Sequence, residues 1–281
     1  MPLFGPNIAA MKDKRDLAGL VLALKNKDAR AHTQAMQALG ELRAKTAVPA
    51  IEEFLLAPDS SIAERTTAAD ALGMIQDEAA LDALTQAAAA SRERERGDIN
   101  AAINSTDRQY SINFYVNRIA ADESMLRSAI AIALGRIGGE GAVRALFEML
   151  AGETGQMADS VKSDVKKSIS DVLEREGERW IPLVCEGLKH ASAEVRQWAA
   201  HCLGELSGEA AIEALIAAAY DEQENFDVRE AALRSLGNMG DRRAIPYLED
   251  LLQSGNRPIV RDAEAALIGI RQRHPLPQPE N

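Results

Sequence analysis

The chain has 281 residues and a formal net charge of −11, from 43 acidic and 32 basic side chains. An acidic surface repels phosphate backbones, which argues against sequence-independent nucleic-acid binding. Two cysteines are too few for a disulfide scaffold, and no apolar run has the length needed to span a bilayer. Hydrophobic residues make up 46% of the chain but aromatics only 4%, so Ala and Leu dominate and favour helices. We therefore expect a soluble, cytoplasmic, helical protein.

Apolar stripes at helical spacing recur along the chain and predict the first helix of a repeated unit. Spacings of i, i+3, i+4 and i+7 mark one buried helix face. They occur at Leu17, Leu20, Val21 and Leu24; at Val143, Leu146, Phe147 and Leu150; at Ile181, Val184, Cys185 and Leu188; and at Ile212, Leu215, Ile216 and Ala219. Pro49, Pro182 and Pro246 fall in the first turn of three such helices, where proline costs no hydrogen bond.

A second helix in each unit is marked by an apolar residue, a basic residue, an Ala-rich stretch and Leu-Gly. The basic residue stands eight positions before the glycine, as Arg65 before Gly73, Arg127 before Gly135, Arg196 before Gly204, Arg229 before Gly237 and Arg261 before Gly269. His32 takes the basic place before Gly40. Each unit is therefore predicted to be a pair of helices joined by a short turn.

Two degenerate copies complete the series. Gly73 and Gly135 are 62 residues apart, twice 31, which predicts a hidden copy with its basic residue at Arg96. The same rule puts another basic residue at Lys166. The register positions are then 40, 73, 104, 135, 174, 204, 237 and 269. We expect about eight two-helix repeats and sixteen helices, with seven repeats plus an insertion as the alternative.

The recurrent basic residue is expected near the start of the second helix. There it can reach carboxylates or turn carbonyls of its own or the preceding repeat. We interpret it as a structural ladder that ties repeats together, formed by Arg65, Arg96, Arg127, Lys166, Arg196, Arg229 and Arg261.

The clearest copy runs from Asp227 to Pro246, with Val-Arg-Glu-Ala-Ala-Leu-Arg-Ser-Leu-Gly followed by Ala-Ile-Pro. It resembles HEAT repeats of the phycobilisome-lyase type, an armadillo-like helical fold. The resemblance implies an all-α fold, an α-solenoid (α-α superhelix), because lone helix pairs cannot bury their stripes and must stack. We expect an N-terminal cap segment at 1–12, a HEAT-repeat solenoid at 13–274 and a disordered Pro-rich tail at 275–281.

Residues 91–121 depart from the repeat. An Arg/Glu run is followed by three clustered aromatics, and one interpretation is a degenerate repeat with a solvated charged face. The other is an inserted loop or long helix that presents these side chains to a partner, because aromatics and arginines are enriched at binding hot spots. The candidate partner-binding residues are Arg92, Arg94, Tyr110, Phe114 and Tyr115. A second irregularity, 151–160, is predicted to be a surface loop.

No catalytic, cofactor or metal site is expected. Deoxyhypusine hydroxylases, which share the repeat type, bind iron through His-Glu pairs, and none of the four histidines is followed by Glu. Cys185 and Cys202 share one repeat with two histidines, but both lie on apolar stripes and fit core positions better than a zinc site.

The leading functional hypothesis is a non-enzymatic protein-binding scaffold or adaptor that holds a protein or peptide on the concave face of the solenoid. The repeat type also leaves open a bilin-lyase-like or chaperone-like protein that acts on a tetrapyrrole-carrying protein. A HEAT-like nucleic-acid enzyme is disfavoured by the acidic charge.

Overall fold

The computed structural model describes residues 6–105, 109–154 and 157–273, and helices dominate these ranges. In chain order they are α1 (Ile8–Asp13), α2 (Leu17–Ala23), α3 (Ala29–Glu41), α4 (Val48–Leu56), α5 (Ile62–Ile75), α6 (Leu81–Ser105), α7 (Gln109–Ile137), α8 (Gly139–Gly152), α9 (Ala158–Glu176), α10 (Ile181–Gly187), α11 (Ala193–Leu206), α12 (Glu209–Tyr220), α13 (Phe226–Met239), α14 (Ile245–Leu251) and α15 (Arg257–Arg273). Short 3-10 turns precede α4, α6, α10 and α14. The predicted tail at 275–281 and the first five residues of the cap segment lie outside the described residues.

Within those ranges, α2 to α15 form seven consecutive helix pairs, each with a first and a second helix. This confirms the predicted all-α solenoid class of tandem pairs, and the described residues contain no strand. None of the described helices combines the length and the apolar character that a membrane crossing demands.

The chain divides into two compact units, Met1–Val172 and Leu173–Asn281. In the first unit, the second helices pack in succession, α3 on α5 and α5 on α7, while the first helix α4 packs beside α5. In the second unit, α11 packs on α13 and α13 on α15, with α12 beside α13. Each unit thus has a layer of second helices that is covered on one side by first helices.

Glycines allow the second helices to approach closely. A β-carbon built on Gly73 would lie 2.7 Å from the Cα of Ala133, a distance that real β-carbons do not tolerate. The same contact recurs in both units, as Gly40 with Ala71, Gly135 with Ser168, Gly204 with Ser235 and Gly237 with Ala266. The glycine of the Leu-Gly phrase is therefore needed for close packing between neighbouring repeats.

Local sequence signals set the helix ends. Pro49, Pro182 and Pro246 lie in the first turns of α4, α10 and α14, as predicted. Gly240 ends α13 in the left-handed conformation, with φ of 73°, which a residue without a β-carbon adopts at little cost. Ser61 begins α5, and Glu64 completes a capping box with it.

The hidden helix pair predicted between Gly73 and Gly135 is not found among the described residues, which contain seven pairs where about eight were predicted. Residues 81–105 form one helix of 25 residues and residues 109–137 one of 29, whereas the other first helices of the pairs have 7 to 14. Because α5 packs directly on α7, no pair stands between them. The extra length lies in two elongated helices of one pair, which is the alternative of seven repeats with an insertion.

The contacts between second helices also correct the register in α9. Gly73 packs against Ala133, which lies two positions before the repeat glycine of its own helix, Gly135. Gly135 in turn packs against Ser168, so Ser168 should also lie two positions before the register residue of its helix. The register residue of α9 is therefore Ser170, and the ladder place is Lys162 instead of Lys166. Helical periodicity repeats its apolar pattern after one turn, so the pattern alone could not exclude an error of four residues.

A shift of one residue occurs in α15. Ala266 packs against Gly237, and Ile259 and Leu267 are buried, which puts Val260 at the ladder place. Arg261 is exposed and pairs only with its neighbour Asp262 among the described contacts. The prediction was wrong here because Gly269 lies two positions after Leu267, the apolar residue of the phrase, whereas in the regular copies the glycine follows the leucine directly.

Candidate protein-binding site

Two arginines of the ladder, Arg65 and Arg229, contact the end of the first helix of their own pair. Arg65 Nη2 donates to the carbonyl oxygens of Ala57 at 3.1 Å and Pro58 at 2.8 Å. Arg229 Nε donates to the carbonyl oxygen of Ala219 at 3.0 Å. Both arginines are buried. They satisfy carbonyl groups at the end of the first helix and so join the two helices of one pair.

Arg196 makes contacts within its own repeat and with the next one. Its Nη1 donates to the carbonyl oxygens of His190 and Ala191 at 2.8 and 2.9 Å. Its Nε and Nη2 donate to the two carboxylate oxygens of Glu224 at 2.8 and 2.7 Å. Glu224 lies in the turn before α13, so the carboxylate comes from the following repeat, whereas the predicted partners were in the same or the preceding repeat.

His32 has the same pair of contacts in the first repeat. One ring nitrogen, Nε2, lies 2.5 Å from the carbonyl oxygen of Asn26, in the turn before α3. The other, Nδ1, lies 2.8 Å from a carboxylate oxygen of Glu64, in the first turn of the next second helix, α5. A histidine thus occupies a place that arginine holds in four of the other described repeats.

Arg127 is at the centre of a buried polar network at the base of the long α6–α7 pair. Only 1% of its side chain is exposed. Its Nε donates to Glu153 at 3.1 Å, while Nη1 donates to Ser91 Oγ at 3.2 Å and lies 2.8 Å from Glu95. Burial raises the pKa of the Glu153 carboxyl, which the positive charges of Arg127 and Arg92 offset only in part. The network ties both long helices to the end of α8.

Glu153 falls in the segment that was predicted to be a surface loop. It is buried, so at least this end of the 151–160 segment is anchored. Nothing in its local sequence distinguishes it from an exposed loop carboxylate. The signal was Arg127 itself, because a buried charge needs compensating partners and a carboxylate is one of the groups that can supply them.

Both candidate partner-binding arginines, Arg92 and Arg94, lie at the base of the α6–α7 pair. Arg92 packs its guanidinium on Gly152, with Nη1 3.6 Å from Glu153. Arg94 pairs with both carboxylate oxygens of Glu123 at 3.2 and 3.4 Å. Both arginines are engaged within the chain and hold the long pair in place. Arg96, expected in the ladder, is exposed on α6 and pairs with Glu93 at 3.1 Å.

The outer part of the α6–α7 pair, which we call the hairpin tip (residues 96–104 and 113–119), extends beyond the helices that it packs against. None of its residues is buried. At 1.5 Å per residue, α6 alone is about 38 Å long, several turns longer than the first helices of the other described pairs. The tip is therefore a projection with solvent on most of its surface.

Exposed aromatic rings are concentrated on this tip. Phe114 is 65% and Tyr115 53% exposed, and their rings form an edge-to-face pair with centroids 5.8 Å apart. Ile103 is also exposed, on the facing helix α6. The side chain of Tyr110 lies outside the described residues. Of the predicted partner-binding side chains, the structure thus places two rings on an open surface and two arginines at the base.

The histidines and cysteines among the described residues do not cluster into a metal site. No group of three or more metal-binding side chains occurs in the part of the chain that the structure describes. Cys202 is fully buried, and burial raises the pKa of its thiol; burial likewise raises the pKa of Cys185. Both thiols are therefore poor nucleophiles at neutral pH.

These features define a helical-repeat protein with one elongated pair. The family model for HEAT repeats matches residues 17–104 and 181–268, more than half of the chain, and the chain belongs to this family. No curated protein sequence matches it.

Several solved structures are similar in fold. Human deoxyhypusine hydroxylase in complex with glycerol has 19% identity and a TM-score of 0.38, over 94% of this chain and 88% of that one. The complex of CpcE and CpcF of phycocyanin lyase from Nostoc sp. PCC7120 has 19% identity and a TM-score of 0.39, over 90% and 94%. Kap121p has 15% identity and a TM-score of 0.44, over 94% of this chain and 30% of its own. At this level the likenesses carry no argument about function.

Proposed function

We propose that the protein is a non-enzymatic binding scaffold that holds a partner protein with its hairpin tip. The observation that carries the proposal is the exposed ring pair, Phe114 and Tyr115, on a projection without buried residues. Exposing two neighbouring rings to water is unfavourable, by about 25 cal/mol per Å² of apolar area, and a partner that covers them recovers this energy. Binding along a concave face, expected from the sequence, stays a prediction.

The ring pair suits binding for a second reason. Aromatic side chains supply large contact areas with few rotatable bonds, so little conformational entropy is lost when they are covered. The edge-to-face contact already orients the two rings. The base contacts of Arg92 and Arg94 hold the helices beneath them, so the arginines support the tip without contacting the partner.

The surroundings of the rings indicate the chemistry of the partner. Most charges on and beside the tip occur as opposite pairs, Glu93 with Arg96 and Arg118 with Asp122, and Asp98 is the remaining charged residue of the tip. This near balance leaves little net field to attract a strongly charged ligand. The partner surface is therefore an apolar pocket or groove with a polar rim, as in many protein–protein interfaces.

Affinity capture from native lysate tests the proposal. We expect the double variant Phe114→Ala/Tyr115→Ala to lose the main partner that the wild-type chain retains. Its thermal unfolding should match that of the wild type, because both side chains are exposed. A matched control is Leu22→Ala/Ile268→Ala, which removes two similarly exposed apolar side chains from other helices and should keep the partner. Equal capture by the two double variants would refute the assignment of the tip.

A further inference from the structure

His32 differs chemically from the arginines that hold the ladder place in four other described repeats. Arginine stays protonated at every physiological pH, whereas histidine changes charge near neutrality. The rung at His32 joins α3 to α5 through Glu64 and joins α3 to its own turn through Asn26. The packing of the first helix pair on the second thus includes a group that titrates.

The contacts of the ring require a particular protonation state. Both nitrogens of His32 face acceptors, the carboxylate of Glu64 at 2.8 Å and the carbonyl oxygen of Asn26 at 2.5 Å. A neutral imidazole donates from one nitrogen only, and its other nitrogen presents a lone pair. A neutral ring would therefore leave a lone pair facing an oxygen. Only the imidazolium form donates to both partners.

The carboxylate partner is held in place independently of the histidine. One oxygen of Glu64 accepts from the backbone N–H of Ser61 at 2.9 Å and from its hydroxyl at 2.7 Å. The bond from the Ser61 N–H is one half of the capping box at the start of α5, and the bond from the Glu64 N–H to the Ser61 hydroxyl is the other half. The other oxygen is the one that faces His32. Loss of the proton from His32 thus removes the ionic attraction between the helix pairs, and one of the two hydrogen bonds of the ring, without freeing Glu64 to move away.

The groups around the ring favour its positive charge. Asp28 begins α3, and Glu53 and Asp59 line, with Glu64, a cavity of about 260 Å³ beside the imidazole. Phe54 packs on the ring with centroids 4.8 Å apart. Neither Lys nor Arg is among the described residues that line this cavity.

The net effect on the histidine is stabilisation of its charged form. Burial alone lowers the pKa of His32, but the hydrogen bonds to Glu64 and Asn26 and the charges of Glu64 and Asp28 outweigh it. The pKa of His32 is therefore raised above its ordinary value of 6.5.

We propose that His32 makes the attachment of the first helix pair, α2 and α3, to the rest of its unit dependent on pH. Because protonation is favoured in the folded state, the contribution of His32 is fully present below the ordinary value of 6.5. It is lost as the pH rises through the higher folded value. The N-terminal pair is then held without this ionic contact and opens more often.

Hydrogen exchange measured by mass spectrometry tests this device. The wild type is compared with His32→Arg, which installs the permanent positive charge that arginine supplies at the ladder place of four other repeats. Comparison at a single pH cancels the intrinsic chemical rate. We expect the α3 amides of the two proteins to exchange equally at pH 6. At pH 8.5 those of the wild type should exchange about threefold faster or more.

Two further measurements keep the test independent of how well arginine fits at this place. His201→Arg alters an exposed histidine that also faces a carboxylate, Glu205. The ratio of the α3 exchange rates of the wild type and this variant should not change with pH. NMR titration should find His32 protonating above 6.5 in the wild type and lower in Glu64→Gln. A constant ratio between the wild type and His32→Arg from pH 6 to 8.5, or a ring that titrates at or below 6.5, would overturn the proposal.

Discussion

Gly73 and Ala133 are in direct contact, although the whole of α6 lies between them in the sequence. A β-carbon at position 73 would lie 2.7 Å from the Cα of Ala133 and 2.9 Å from its Cβ. This contact shows that α5 and α7 belong to neighbouring repeats. It also explains why the 62-residue spacing, twice a repeat length, contains a single helix pair.

Gly73→Ala should destabilise the chain, although a glycine-to-alanine change inside a helix usually stabilises it. Alanine usually favours helices by up to about 1 kcal/mol. Here the new methyl group meets backbone atoms that cannot rotate away, and separating the helices costs about 1–3 kcal/mol. Urea unfolding followed by circular dichroism gives the free-energy difference.

Gly97→Ala is the matched control. Gly97 also lies inside a helix, on the hairpin tip, and an added β-carbon there would meet nothing within 4 Å. We expect its free energy of unfolding to stay the same or to rise slightly. If the two variants behave alike, close helix approach is not the role of the repeat glycine.

Arg127→Met should lower the free energy of unfolding by about 3 kcal/mol, because it leaves the carboxylate of Glu153 buried without its nearest cation. Addition of Glu153→Gln to this variant should restore part of the loss by removing the buried charge. A double-mutant cycle in urea measures the coupling between the two positions.

Arg261→Met is the comparison for that cycle, since the sequence rule treats Arg261 and Arg127 alike. Its side chain is 70% exposed. We expect no measurable change in stability. A large loss from Arg261→Met would contradict the register that places Val260 in the ladder.

The pair of Arg196 and Glu224 should make the second unit sensitive to acid. Burial alone would raise the pKa of Glu224, but hydrogen bonds from Arg196 and from the backbone N–H of Asn225 hold it below the ordinary 4.5. Because the folded-state pKa is lowered, the pair stabilises the fold above pH 4.5. Its contribution is lost as the pH falls through the lower folded value.

Glu224→Gln should therefore cost about 1 kcal/mol at pH 6 and less as the pH approaches 3. Thermal unfolding at several pH values gives the difference from the wild type. Glu222→Gln, an exposed neighbour in the same turn, provides the comparison. A Glu224→Gln deficit that stays constant from pH 6 to pH 3 would show that Glu224 does not act through its ionised form.

The regular repeats were predictable because their chemistry is local. The Leu-Gly phrase, the first-turn prolines and the apolar stripes each depend on residues within one or two turns, and they indicated the first and second helices of the described pairs other than α6–α7. Register failed where local signals are ambiguous. Lys166 lies one turn from the true ladder place at Lys162, and both satisfy the same periodicity.

The candidate site was only partly predictable, because its parts depend on contacts between distant segments. The aromatic cluster indicated Phe114 and Tyr115 as candidate partner-binding residues, and both side chains are exposed. No local signal indicates that Arg92 and Arg94 are paired within the chain, since their partners Glu153 and Glu123 are far along the chain. The same holds for His32, whose contact with Glu64 spans a whole repeat.

The direct packing of α5 on α7 also makes the reach of the hairpin an adjustable quantity. Whole turns added to or removed from both long helices beyond Arg96 leave every contact between second helices as it is. Each added residue extends the tip by about 1.5 Å. A tip of different length or sequence could thus be grafted onto the same base, and only the distance and identity of what it meets would change.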